Sequence, residues 1–227
     1  MPTARKLWSL LGVCALSAAL AAVPTTAHAQ VPVLCSETAL VNAIYGANAN
    51  GGDTLLLTPG CTYTLTSAHG TASDGPVGLP PITTPITMLG MGTNIARDPS
   101  APAFRILEVD GTANVPGTKG QLNMTGITVR GGNAVAPFPG GGIADRGGAV
   151  SLTAGSVTGN TAVAGGSIYV DNGSVTLMTS SVTGNTASAS GGGIYVNSGA
   201  VNLLVSTVNG NTPDNCAPLG SVPGCTG

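Results

Sequence analysis

Residues 168–185 read IYVDNGSVTLMTSSVTGN, and residues 143–160 (IADRGGAVSLTAGSVTGN) and 194–211 (IYVNSGAVNLLVSTVNGN) follow them position for position. Seven residues after each opening isoleucine (Ile143, Ile168, Ile194) stands Val150, Val175 or Val201. Leu152, Leu177 and Leu203 follow at nine, Val157, Val182 and Val208 at fourteen, and Asn160, Asn185 and Asn211 at seventeen. The step between copies is 25 and then 26 residues, the extra one falling in the Gly/Ala/Ser-rich stretch before Ile194. Self-similarity at this period means one supersecondary unit stacked on itself. Short β-branched runs punctuated by glycine are strands joined by turns. The Val-x-Leu alternation turns Val175 and Leu177 inward and Thr176 outward. Three short strands per repeat predict one coil of a right-handed parallel β-helix, an all-β, pectate-lyase-like solenoid.

Upstream, Leu122, Met124 and Val129 match the ladder, and Gly120 matches Gly148, Gly173 and Gly199; beyond them the register blurs. Strands are expected at Thr54–Leu57, Tyr63–Thr66, Ile86–Leu89 and Phe104–Asp110, with a long loop at 67–85. Residues 36–48 predict a short capping helix: Ser36 suits an N-cap, Glu37 favours the positive helix end, and Leu40, Ala43, Ile44 and Ala47 share a face. About six coils give a body roughly 30 Å long at ~4.8 Å per layer. The tail from Pro213 carries Pro213, Pro218 and Pro223, which cannot donate to a ladder, so it is expected to close the last layer rather than form another coil. The expected organisation is a signal peptide (1–29), an N-terminal helical cap (30–53), the β-helix (54–212) and a disulfide-closed C-terminal cap (213–227).

The signal peptide is read from Arg5 and Lys6, the 17-residue apolar stretch Leu7–Val23, and the Ala27-His28-Ala29 cleavage box. Its removal leaves a secreted domain with no later membrane span. Five basic residues then face nine acidic ones, a balance that argues against nucleic acid or anionic membrane as partner. Cys35, Cys61, Cys216 and Cys225 remain, an even number that reads as disulfides in an exported protein. Three connectivities are possible. The cysteines lie in pairs at opposite chain ends, and a solenoid holds its ends apart, so Cys35–Cys61 and Cys216–Cys225 are expected. Metal ligation would need closer spacing and helpers, and His69 is the only histidine after cleavage.

The helix motif Leu40-x-x-Ala43-Ile44-x-x-Ala47-Asn48, Gly52-Asp53-Thr54 and Tyr63-Thr64-Leu65-Thr66 resemble the start of bacterial secreted β-helix proteins. Some of these open with CSLREAI; here Cys35-Ser36-Glu37-Thr38-Ala39-Leu40 matches in part. Gly147-Gly148-Ala149-Val150 resembles the GGA motif of chlamydial polymorphic outer-membrane proteins. Val157-Thr158-Gly159-Asn160 and Val182-Thr183-Gly184-Asn185 are similar to their FxxN motif, with Val for Phe. The resemblance implies adhesion or surface display.

Several constellations could carry chemistry. Asn160, Asn185 and Asn211 are expected to form a structural amide ladder at a turn. Tyr169 and Tyr195 share a position and should stack, which would also suit a sugar ring. Arg146 and Asp171 should form a surface ion pair one layer apart. Glu108 and Asp110, with Arg105 and Arg130 near in sequence, are the best set for a lyase or hydrolase acting on acidic polysaccharide. Two carboxylates are few for such a site, and Ala68-His69-Gly70 and Arg105-Ile106-Leu107 only partly echo hydrolase signatures. The expectation is a monomeric, non-catalytic structural or surface-interaction protein without cofactor or metal, with surface glycans or proteins as partners; a carbohydrate-binding module is a further alternative.

Overall fold

Columns of side chains, one from each repeat, carry the core. In the computed structural model, which describes residues 30–72, 75–109 and 120–227, Leu55, Met88, Met124, Leu152, Leu177 and Leu203 are aligned across parallel strands. Tyr63, Ile95, Val129, Val157, Val182 and Val208 form a second column. Leu107, Ile143, Ile168, Ile194 and Cys216 form a third. All three columns meet in one apolar cluster. The described residues are mainly β, 52% strand with one helix among them, and the parallel sheets are consistent with a β-solenoid.

The longest sheet has 11 strands and runs from Gln30–Val33 through Asp53–Leu57, Pro85–Arg97, Gln121–Arg130, Ala149–Thr153 and Gly173–Met178 to Gly199–Leu204. A five-stranded sheet joins Leu107–Val109, Ile143–Arg146, Ile168–Asp171, Ile194–Val196 and Cys216–Ala217. The register therefore continues well upstream of where the sequence pattern fades. Connections of unequal length cause the fading: the step from Leu55 to Met88 is 33 residues and from Met88 to Met124 it is 36, against 25 from Leu152 to Leu177. Gly90, Met91 and Gly92 stand between paired residues where the next layer has Gly126 alone, which shifts the period without breaking the pairing.

Later layers turn this corner through non-glycine residues in the left-handed region: Ala154 (φ 51°), Thr179 (φ 46°) and Val205 (φ 52°). That conformation is uncommon for any side chain and strained for a β-branched one. The neighbouring corner position supplies compensation. Ser180 Oγ donates to Leu152 O (3.0 Å) and accepts from Gly155 N (3.2 Å), and Ser206 Oγ accepts from Ser180 N (3.0 Å).

The helix spans Glu37–Ala49, with Ser36 Oγ accepting from Ala39 N at 3.2 Å. Its buried residues are Leu40, Val41, Ile44 and Ala47; Ala43, expected on that face, is only partly covered. Ahead of it, Gln30–Val33 is a strand paired with Asp53–Leu57, in a stretch expected to be cap. The expected loop 67–85 contains an antiparallel hairpin, Gly70–Ala72 with Gly75–Val77, and residues that bridge to the layer above at Val77–Arg105 and Ile82–Val109.

Cys35 is joined to Cys61 and Cys216 to Cys225. The tail does more than close the last layer. Cys216–Ala217 pairs with Ile194–Tyr195 and so completes it, and Val222 is buried against the core. Proline forbids donation only at its own nitrogen, so a strand fits between Pro213 and Pro218. The expected signal peptide, Asp110 and Lys119 lie outside the described residues.

Candidate functional site

The outer face of the five-stranded sheet gathers the most side chains with recognition chemistry. Pairing sets Tyr169 beside Tyr195 and Asp171 beside Arg146. The tyrosine rings stack at 5.7 Å between centroids with planes 9° apart, and the Arg146 guanidinium lies 5.1 Å from the Tyr169 centroid. Such a cation over a ring face is attracted by its quadrupole. Arg146 Nη1 stands 3.6 Å from Asp171 Oδ2. Asp171 Oδ1 accepts from Asn197 Nδ2 (2.8 Å) and Ser198 Oγ (2.9 Å). The pair expected on the surface is thus mostly covered, because the neighbouring layers supply Tyr169, Asn197 and Ser198 around it. Covering strengthens the attraction and charges a desolvation cost that the extra hydrogen bonds offset.

Glu108 is enclosed rather than open to solvent. Its Oε2 lies 3.1 Å from Arg105 Nη1, and both side chains are 0% exposed. Arg130, expected nearby, is exposed and paired in register with Ala96 and Thr158 on the other sheet. The structure brings Arg105 to Glu108 and leaves Arg130 elsewhere; Asp110 lies outside the described residues. Asp145 occupies an inward register between Val109 and Val170, fully buried, and its Oδ1 accepts from Gly148 N at 2.9 Å. Its position in the core reads as a turn brace.

The asparagine ladder is a directed chain of hydrogen bonds. Asn160 Oδ1 accepts from Gly132 N (2.8 Å), while Asn160 donates from Nδ2 (3.0 Å) and N (2.9 Å) to Asn185 Oδ1. Asn185 donates likewise to Asn211 Oδ1, at 2.9 and 3.0 Å. Asn211 donates in turn to Asn215 Oδ1, at 3.2 Å from both nitrogens, and Asn215 Nδ2 reaches Thr226 O at 3.0 Å. Asn215 follows its predecessor by four residues instead of a full repeat, so the period conceals it. Each ladder amide also donates to backbone carbonyls at the corner, as Asn185 does to Val157 O and Thr183 O.

Two further features lay outside the pattern. Glu37 at the helix start accepts from Thr66 Oγ1 (2.7 Å), Thr66 N (2.9 Å) and Ser67 N (3.3 Å), and meets His69 Nε2 at 2.8 Å. Partial burial raises the Glu37 pKa, but these hydrogen bonds outweigh it and hold the carboxyl below its usual range. Ser67 Oγ approaches the same His69 nitrogen (3.3 Å) that meets Glu37. A nucleophile relay needs the two imidazole nitrogens on opposite partners, so this is a latch. A recess of about 280 Å³ is lined by Arg97, Pro99, Gly131, Gly132, Asn133, Gly159 and Thr161. Arg97 donates there to Gly131 O (2.9 Å) and Ala101 O (2.6 Å), which engages it in bracing turns.

Among the described residues, no group of three or more His, Cys, Asp or Glu side chains is placed to hold a metal ion, and no helix is long and apolar enough to cross a membrane. Comparison with protein-family models, curated proteins and solved structures finds no match. The two disulfides point to an oxidising compartment.

Proposed function

We propose that the chain is a secreted right-handed parallel β-helix acting as a non-catalytic structural or surface-interaction domain of adhesin type. The three side-chain columns in constant register support the coil, and its hand follows from the rule for parallel crossover connections. The resemblance of its helix and repeats to bacterial secreted β-helix proteins and to chlamydial polymorphic outer-membrane proteins agrees with surface display. The observation that carries the non-catalytic reading is the burial of Glu108 with Arg105 at 0% exposure. A carboxylate that must meet a polysaccharide needs solvent access, and this one faces its own arginine. For contact with surface glycans or proteins, the outer rung of Tyr169 and Tyr195 with Arg146, Asp171, Asn197 and Ser198 offers an aromatic surface bordered by polar groups.

The test uses the purified domain on a panel of uronic-acid polysaccharides with and without Ca²⁺, and on a glycan array. No unsaturated uronide should be released, and any array binding should weaken in Tyr195→Ala. Ca²⁺-dependent release of uronides would place the protein among the lyases instead.

A further inference from the structure

The last strand of the long sheet, Gly199–Leu204, pairs with Gly173–Met178 on one side, and among the described residues nothing pairs with its other side. The carbonyls of Ser198 and Leu204 accept from Asn172 and Thr179 in the layer below. Alternation along a parallel ladder therefore directs the N–H and C=O of Gly199, Val201 and Leu203 off the free edge. The tail buries Val222 and Val201 at this end of the core, but none of its backbone hydrogen bonds among the described residues goes to Gly199–Leu204. On this edge Leu204 is 47% exposed, and the next residue, Val205, is 90% exposed.

Proteins blunt such edges with charge, proline or a short strand. The 14 residues from Gly199 to Thr212 contain no charged residue and no proline. The opposite end is blunted. Gln30–Val33 is four residues long and carries Pro32, the Val33 carbonyl accepts from Thr58 Oγ1 (2.9 Å) and Tyr63 OH (2.8 Å), and the helix covers the core. A second copy thus finds no receptive strand at the head, and head-to-tail growth is disfavoured.

We propose that the free edge Gly199–Leu204 docks on the same edge of a second copy, antiparallel about a twofold axis, giving a tail-to-tail dimer. An uncharged strand can face its own copy without like charges meeting. The residues whose backbone groups point off the edge fix the register. With Asn202 on the axis, Val201 opposes Leu203 of the second copy as a hydrogen-bonded pair. On the inner face the partly covered Leu203 meets the buried Val201 of the copy, and on the outer face Leu204 covers the small Ala200 of the copy. A C2 contact of this kind closes on itself and leaves both heads outward. One strand pair buries little area, which puts the contact in the weak, reversible class. The proposal is independent of the surface-interaction reading.

The experiment uses the mature chain with its disulfides intact. Asn202 faces its own copy in a non-hydrogen-bonded pair, about 4.5 Å between Cα atoms, within the ~4.4–6.8 Å span a disulfide tolerates. N202C should oxidise to a dimer of twice the monomer mass, while N42C on the exposed helix should not. Sedimentation of the wild type should show a concentration-dependent dimer that N202K abolishes with its fold unchanged by circular dichroism. An unreacted N202C thiol with a monomeric wild type at all concentrations overturns the proposal. Open-ended growth, or N42C cross-linking as readily as N202C, also overturns it.

Discussion

At the head of the stack, a 13-residue helix, a short strand carrying Pro32 and the Cys35–Cys61 bridge close the core; at the tail, Leu203 and Val208 are only partly buried at positions where Leu177 and Val182 are fully buried, although Val201 stays covered. The residues are the same in kind. What differs is whether another layer lies above them. In a stacked architecture a side chain has its burial from two neighbours, so the terminal copy of a repeat is worth less than an interior copy of the same letters.

The sharpest way to break this comparison is to truncate equivalent leucines. Leu177→Ala leaves a cavity between two layers and should cost about 2–5 kcal/mol. Leu203→Ala, already open on one side, should cost about half of that, since solvent fills the space and the lost transfer area is smaller. Thr176→Ala, on the outward side of the same strand as Leu177, should stay within ~0.5 kcal/mol. Denaturant melts at low protein concentration measure all three. Equal losses at Leu177 and Leu203 would mean that the tail is covered after all, and a larger loss at Thr176 would reverse the inward register.

The asparagine ladder offers the same contrast between an interior and a terminal rung. Asn185→Ala removes the acceptor for the Asn160 N–H and Nδ2 and the donor to Val157 O and Thr183 O in a buried corner. Each buried group left without a partner costs about 1–3 kcal/mol. Asn215→Ala strips only the end of the chain, where solvent can replace it, and should cost about 1 kcal/mol or less. Calorimetry of the two variants separates an interior rung from a terminal one. Matching losses would show that the ladder is one cooperative unit whose end matters as much as its middle.

Why some of this was legible in the letters and some not is visible at single residues. Val175, Leu177 and Asn185 could be placed because the repeat copies them with constant spacing, and pairing preserves spacing. Met88 and Leu55 belong to the same column but escaped the pattern, since the steps Leu55–Met88 and Met88–Met124 are 33 and 36 residues against 25 from Leu152 to Leu177, and with connections of unequal length the period no longer reports the register. Gln30–Val33 was missed because a strand of four residues with a proline carries almost no periodic signal. Asn215 is the ladder's last rung yet sits off the period. At the candidate site, Tyr169 with Tyr195 and Arg146 with Asp171 followed from shared register, whereas the burial of Glu108 depends on which segments pack over it. That information is non-local, and the coincidence of Arg105 three residues away could equally have marked an exposed pair.

The smallest expected effect lies at the head, where the closure includes a titrating contact and the tail offers a contrast. Glu37 ties the first turn of the helix to Thr66, Ser67 and His69 and also sits at the positive end of the helix dipole. Its folded pKa lies below the ordinary glutamate value of 4.5. Below that value the unfolded chain takes up the proton first, so stability rises with pH through this window. The contribution of Glu37 is therefore complete above about pH 5 and disappears as pH falls through the depressed folded pKa. Glu37→Gln keeps the side-chain shape but removes the charge and its titration. The difference in melting midpoint between wild type and Glu37→Gln should be largest near neutral pH and close up at acid pH, isolating this group from the other carboxylates. Hydrogen exchange should locate the acid-labile opening at Glu37–Ala49 before Gly199–Leu204 is affected. A pH-independent difference between the two proteins would mean that the latch holds through packing and not through the carboxylate, and the head would then be closed by its helix and disulfide alone.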